Sequence, residues 1–482
     1  MANLLGWILP VPSFYSIRLW VLRIGLYRLL SAPLGPRWAL ICDHTATYAG
    51  VKLFVICGVD LDKLDQRIAD GTGNFSLSQR DVVPLAIVPM AHSNAGILLE
   101  HYKKCIAKRG HPERMITDGG SDIIKSASLL GACQKADGLP PTKHTYDISH
   151  RIARIVEHEL DASPEWKGLE AMVSRARAYC KYRARHLSPP TLSHGPDRWM
   201  NLGGIIQWVA MMIGFLRRQK APAGSPDIST GCQVNKAVLQ PRFGLTKDIW
   251  EAAKMAHHQR DGVFYALADL CGREYNELTA YESALTRQSS KIPAEVKTHL
   301  LENSNLNEIY LNDIMGGSEQ NEGIHREIVG MLAFTNRVQK YLKENGLTSS
   351  GVKICEDFYT AEKLEGVGER VGKKVLLAIK QMALELQSGE RILVTSDVIE
   401  SLNGSWKMHI NATPTPALGS NALLMPGLMW EPSISEIKSA LETVRVEDVE
   451  DWRNQNFGQT FYQAKRVIRP RKTSPKLCTL LS

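Results

Sequence analysis

Between Arg37 and His158 the chain alternates short apolar runs with turn chemistry, and this pattern limits the folds open to it. WALIC (38–42) and KLFVICGV (52–59), joined by a short polar connection, read as a hairpin, and VVPLAIVPM (82–90) adds a third strand. The period then changes over 94–108. There Leu98, Leu99, Tyr102, Cys105 and Ile106 make one helical face that ends at Gly110 and Pro112. ERMIT (113–117) is a short strand running into Asp118-Gly119-Gly120, SDIIKSASLLGACQ is helical, and KHTYD (143–147) is a fifth strand. The order β-β-β-α-β-α-β predicts a mixed α/β sheet over 38–158.

The rest of the chain divides by pattern. Residues 159–388 carry helical periodicity, for example over 167–186, 246–273, 297–313, 321–344 and 360–387, without strand alternation, and so form a large mostly α-helical segment. Over 389–410, RILV leads into Thr395-Ser396-Asp397, residue types that start helices, and then VIESLNGSWKM. Residues 411–482 comprise a Pro/Gly-rich loop to about 431, a helix near 433–445 and an extended basic arm, KRVIRPRKTSPK (465–476). At the other end, residues 1–37 hold one helix. Trp20, Val21, Ile24, Tyr27 and Leu30 form its apolar face, and Arg18, Arg23 and Arg28 point elsewhere. This helix either lies against DNA or docks on the core.

Of the 482 residues 44% are hydrophobic and 22% charged, which excludes disordered and fibrous classes. The formal charge of +8 is concentrated at the ends: residues 1–37 have four arginines and no acid, and 465–482 have six Lys/Arg and no acid. A polyanion such as DNA suits basic ends on a near-neutral body. Nine scattered cysteines with no C-x-x-C pair point to a reduced, cytoplasmic protein without a structural zinc site. The apolar N-terminal stretch is interrupted by Pro10, Pro12 and arginines. Leu202 to Leu216 is too short to span a bilayer, so no membrane partner is expected. Inside the helical segment, Arg175, Arg177, Lys181, Arg183 and Arg185 interleave with Tyr179 and Tyr182, a pattern that either grips phosphates and stacks on bases or is a solvated helix face. LEGVGERVGKKVLLAIK (364–380) resembles a helix-hairpin-helix, with a plain inter-helix turn as the alternative.

Three carboxylates each have a local explanation. Asp43 ends a strand, Asp118 opens an Asp-Gly turn, and Glu400 completes a capping box with Asp397. Together, however, LICDHT (40–45), MITDGGSDI (115–123), HTYDISH (144–150) and TSDVIESLNGSWK (395–407) resemble a DDE transposase of a prokaryotic insertion sequence. In that family the first Asp lies on the first strand, the second just after the fourth, and the Glu on a later helix. Asp43, Asp118 and Glu400 match in turn. Lys407 follows Glu400 as in the E-x6-K part of a longer signature, although Ser396 stands where that signature has Arg. PSFYSIRLWVLRIGLYRL looks like the trailing helix of a helix-turn-helix whose beginning is absent.

The resemblance implies an RNase H-like mixed sheet core with a large mostly α-helical insertion, and a nucleoid-associated enzyme that cuts the ends of a mobile element and joins them to target DNA. It implies that Asp43, Asp118 and Glu400 hold two Mg²⁺ ions, for which Mn²⁺ can substitute. Asp43 bridges both ions, and the other two residues hold one each. Hard divalent cations take oxygen ligands, which is why three carboxylates serve. DNA contacts fall to Lys407, Arg18, Arg23, Arg28, Arg175, Arg177, Lys181 and Arg183, and a homodimer on paired ends is expected. The alternatives are a structure-specific nuclease of RNase H-like fold and a catalytically dead, DNA-binding remnant. Asp122 rivals Asp118 but suits a helix start, and His44 should point away from Asp43. Asp147 and His150 fall at the edge of the site, with a structural role. The pair His257-His258 reads as a helix surface.

Overall fold

The computed structural model describes residues 12–44, 52–90, 92–183, 202–220, 318–411 and 418–458. Helix α1 (Phe14–Ser31) precedes strands β1 (Trp38–His44) and β2 (Lys52–Asp60). Then come α2 (Leu61–Ala69), β3 (Val82–Met90), α3 (Ala95–Arg109), β4 (Arg114–Thr117), α4 (Ser121–Ala136) and β5 (Lys143–Tyr146). Helices follow: α5 (Ile148–Asp161), α6 (Pro164–Arg183), α7 (Leu202–Lys220), α8 (Ser318–Asn345), α9 (Ser349–Glu362) and α10 (Gly366–Ala383). The C-terminal described part holds α11 (Asp397–Asn411), α12 (Leu424–Leu428), α13 (Ile434–Thr443) and α14 (Val446–Phe457). The five predicted strands form one mixed sheet in the order β3-β2-β1-β4-β5. Strands β1, β2 and β3 pair antiparallel, and β4 and β5 run parallel to β1.

Alternation along β1 sorts the core into two faces. Ala39 and Ile41 pack with Val55, Cys57 and Ile116 of the sheet and with Val398, Leu402 and Trp406 of α11. Trp38, Leu40 and Cys42 pack with Phe54 and Ile56, with Leu98 and Tyr102 of α3, and with Ile123 and Leu130 of α4. Helices thus cover both faces, and this is why the strands read as unbroken apolar runs rather than alternating ones.

Three features depart from the sequence expectation. Helix α2 is an addition. It is short and starts where the Asp60 carboxylate accepts the Lys63 N–H at 3.1 Å. Helix α12 lies inside the Pro/Gly-rich stretch expected to be a loop to about 431. Helix α1 buries Leu22, Gly25 and Leu26 against Leu423, Val444 and Val449; of the predicted face Tyr27 packs at the edge of this cluster, while Trp20, Val21 and Leu30 stay exposed, so the docked side is rotated from the predicted one. The reason is Gly25. A Cβ there would stand 1.9 Å from the Leu423 carbonyl oxygen, so the helix approaches on the side where backbone can meet backbone. The predicted helices at 246–273 and 297–313, His257-His258 and the basic arm at 465–476 lie outside the described residues.

The chain splits into two compact units: Met1–Arg151 with Lys340–Ser349 and Leu386–Ser482, and Ile152–Gln339 with Ser350–Glu385. The first holds the sheet. In the second, the Glu159 carboxylate of α5 accepts from Arg370 Nε at 2.8 Å and Lys374 Nζ at 2.5 Å, both on α10. Among the described residues no helix is long and apolar enough to cross a membrane.

Trp406 fastens α11 to the sheet. It is almost fully buried, and its indole N–H donates to the Asn421 carbonyl at 3.0 Å. Trp406→Ala is expected to cost about 3–5 kcal/mol, read as a lower urea midpoint, whereas Met408→Ala on the exposed side of the same helix should leave the midpoint in place.

Candidate active site

Register brings the acidic residues together. Cys42 of β1 pairs with Thr117 of β4, and Thr117 pairs with Tyr146 of β5. One residue further along each chain stand Asp43, Asp118 and Asp147, a row at the C-terminal ends of three parallel strands. Asp43 follows Ile41 by two residues and so faces α11. His44 faces the other way, its ring 4.9 Å from that of Phe54. Burial lowers the His44 pKa, opposed by the charges of Asp122 and Asp118. Asp122 accepts from the Ser93 hydroxyl and from the Ile123 N–H at 3.0 Å, and so belongs to the start of α4.

Asp118 keeps its turn geometry. Its Oδ1 accepts the Gly120 N–H at 2.9 Å, and Gly119 has a φ of +83°. A Cβ at Gly119 would also stand 1.7 Å from the Tyr146 ring, so glycine is required on two counts. The turn can therefore set Asp118 against β5 only with glycine after it.

Glu400 comes to the row on α11, whose start is tied to the end of β5. The Ile148 N–H donates to the Val394 carbonyl at 2.9 Å. Asp147 Oδ2 accepts the Ser396 hydroxyl at 2.7 Å and the Ser396 N–H. The expected capping box does not form. The Asp397 N–H donates to Thr395 Oγ1 at 3.2 Å, the Asp397 carboxylate pairs with Lys343 at 3.3 Å, and Glu400 Oε1 lies 3.1 Å from His150 Nε2. The other ring nitrogen of His150 is 3.6 Å from Asp147 Oδ1, an ion contact rather than a hydrogen bond.

The charges follow from this geometry. Burial, reinforced by the Asp118 charge, pushes the Asp43 carboxyl up to about 7; His150 and the His44 N–H oppose the shift and Glu400 adds to it. Burial works against a charged His150 ring, but contact with the Asp147 and Glu400 carboxylates outweighs it and raises the pKa to about 11. Asp147 is fully buried, yet His150 and Ser396 hold it below the usual carboxylate range. At neutral pH the site thus contains an imidazolium among carboxylates.

Among the described residues no three His, Cys, Asp or Glu groups stand close enough to form a ready-made metal cage. Asp43 and Asp118 side by side, with burial and the Asp118 charge both disfavouring ionisation of Asp43, are nevertheless the donor set a hard cation wants. Mg²⁺ takes one or two carboxylates and completes its shell with water and substrate oxygens. The residues fit an ion of that kind and not an all-protein site.

The remaining predicted residues are spread more widely. Lys407 is half-buried, seven residues beyond Glu400 on α11. Arg18 donates to Asn421 Oδ1 at 2.9 Å, Arg23 donates to the Val444 carbonyl at 2.6 Å and to that of Leu441, and Arg28 lies over the Trp430 ring at 5.3 Å. All three arginines take part in docking α1, whatever they do beyond that. On α6, Arg175 is exposed and Arg177 partly buried, while the side chains of Lys181 and Arg183 lie outside the described ones. At the helix-hairpin-helix-like segment, the Glu327 carboxylate accepts the Val367 N–H at 2.8 Å, so an amide that would meet a phosphate is already engaged. Asp147 and His150, read from the sequence as edge residues because the fifth strand lies close by in the resembled fold, make direct contacts in the site: His150 with Glu400 and Asp147 with Ser396.

In the folded, metal-free protein Asp43 retains a proton between its ordinary 3.8 and about 7 that the unfolded chain has lost, so stability falls as pH rises through that window. Asp43→Asn is therefore expected to stabilise the protein by a few kcal/mol at pH 8 in EDTA, on the order of 1.4 kcal/mol per pKa unit. It should make no difference near pH 4, as checked by urea titration at both pH values. Equal effects at the two would show that the carboxyl is not perturbed.

No protein-family model matches this chain, and no curated protein matches it.

Proposed function

We propose that this protein is a DDE transposase with an RNase H-like core, acting on the ends of a mobile DNA element. The observation that carries the reading is the row built by register: Asp43 on the first strand and Asp118 just after the fourth, neighbours in the sheet, with Glu400 on a helix over the face to which Asp43 points. That is the order of residues and elements on which the sequence resemblance rests. Asp43, Asp118 and Glu400 would hold two Mg²⁺ ions, which when bound activate the attacking oxygen and stabilise the leaving 3′ oxygen in displacement at phosphorus.

The chain's own residues have separate tasks. Asp43 and Asp118 are fixed by backbone pairing and by the Gly119 turn, so they form the rigid side of the site. Glu400, with a side chain 42% exposed, is the side open to a DNA strand. Lys407, two turns along the same helix, is in register to take a phosphate further along that strand. DNA is the substrate and a homodimer on paired ends the working form in this reading.

Mg²⁺-dependent nicking of a fragment carrying the element's own end tests it. The parent should nick and then join a precut end to target DNA. Asp43→Ala, Asp118→Ala and Glu400→Ala should each lose more than the 10–100-fold that a change behind a ligand costs, while melting cooperatively. Nicking without joining would turn the reading to a structure-specific nuclease. Salt-sensitive DNA binding, unaltered by Asp43→Ala and without cleavage in Mg²⁺ or Mn²⁺, would turn it to a binding remnant.

A further inference from the structure

We infer that His150 is a positioning residue that aims Glu400, and that Asp147 gives the ring and the Glu400 helix a common anchor. The inference rests on the reading of Glu400 as a cation ligand. Glu400 sits in the first turn of α11, on a long side chain that is well exposed, and its Oε1 meets His150 Nε2 at 3.1 Å. Only one carboxylate oxygen is engaged in that contact, which leaves Oε2 to ligate.

The ring is held in turn. Asp147 Oδ1 accepts the N–H groups of Ser149 at 2.7 Å and His150 at 3.2 Å, which fixes the first turn of α5 and hence the base of the His150 side chain. Its Oδ2 accepts from Ser396, the residue before α11 begins. One buried carboxylate thus sets the origin of both side chains, and the 3.1 Å contact closes the loop between them. Removing the ring leaves α11 tied down but its glutamate free to choose a rotamer. A ligand whose outer partner orients it commonly loses 10–100-fold in metal affinity when that partner is removed.

Mn²⁺ binding to the full-length protein, measured by electron paramagnetic resonance without DNA, tests this independently of activity. His150→Ala is expected to weaken Mn²⁺ binding about 10–100-fold, and His150→Gln, which keeps an N–H donor, to restore most of it. The double variant His150→Ala/Glu400→Ala should bind no more weakly than Glu400→Ala alone, a non-additivity that a merely structural histidine would not give. If Glu400→Ala loses Mn²⁺ while His150→Ala binds like the parent, positioning by His150 is overturned and the carboxylate site stands. If Glu400→Ala also binds like the parent, or the parent binds none, the reading of the site fails and this inference with it. Should His150→Ala not fold, His150→Gln decides: affinity near the parent's supports positioning, and affinity as low as that of Glu400→Ala overturns it.

Discussion

Asp147 is a charged carboxylate with no solvent exposure, and the geometry of the site depends on the hydrogen bonds that keep it so. An ion taken out of water costs several kcal/mol even after relaxation, unless its lone pairs are met. Here two amides meet Oδ1, and an amide and a hydroxyl meet Oδ2. Ser396 stands 249 residues from Asp147 along the chain, so a single side chain joins the fifth strand to a helix that arrives only after the long helical segment. Without it α11 would still have Trp406 and Leu402 in the core, but its first turn, where Glu400 stands, would lose its tether.

The electrostatics of the row follow from this anchoring. Burial is the larger cause of the raised Asp43 pKa and the Asp118 charge the second. Solvent exclusion, which the three-layer packing imposes, therefore counts for more than repulsion between neighbours. His150 offsets part of that unfavourable charge, and a divalent cation would offset the rest by giving Asp43 and Asp118 a common partner. A buried carboxylate row of this kind is least stable when ionised without a cation to share, because burial and repulsion then both act against it.

Much of the sheet was legible in the sequence because its strands are buried on both faces and bounded by glycine, proline and Asp-Gly turns. The opposite directions of Asp43 and His44 followed from period two alone. What stayed hidden depends on contacts between distant parts of the chain. The docked face of α1 is decided by Gly25 meeting Leu423, a close approach that counting apolar side chains cannot weigh. A capping box with Asp397, its neighbour in sequence, is the local alternative for Glu400, whereas in the fold Lys343 takes Asp397 and His150 takes Glu400. Local capping patterns describe what a carboxylate can do in an isolated helix; tertiary partners with full charges outcompete them.

The same distinction governs how the net charge of +8 should be read. Arg23 donates to the carbonyls of Leu441 and Val444, acceptors left over where α13 ends, and so acts as a helix cap supplied from another helix. Arg28 is half-buried beside an indole, and burial lowers its pKa. In the helical unit Arg370 and Lys374 converge on one buried glutamate, while Lys373 and Lys380 pair with Glu369 and Glu356. Arg23, Arg370, Lys373, Lys374 and Lys380 each already have an acceptor within the fold, and a DNA phosphate would have to compete with it. Counterion release on a polyanion scales with the cations that are free to reach phosphates, so the strength of any DNA contact follows the unpaired subset of basic residues and not the formal total.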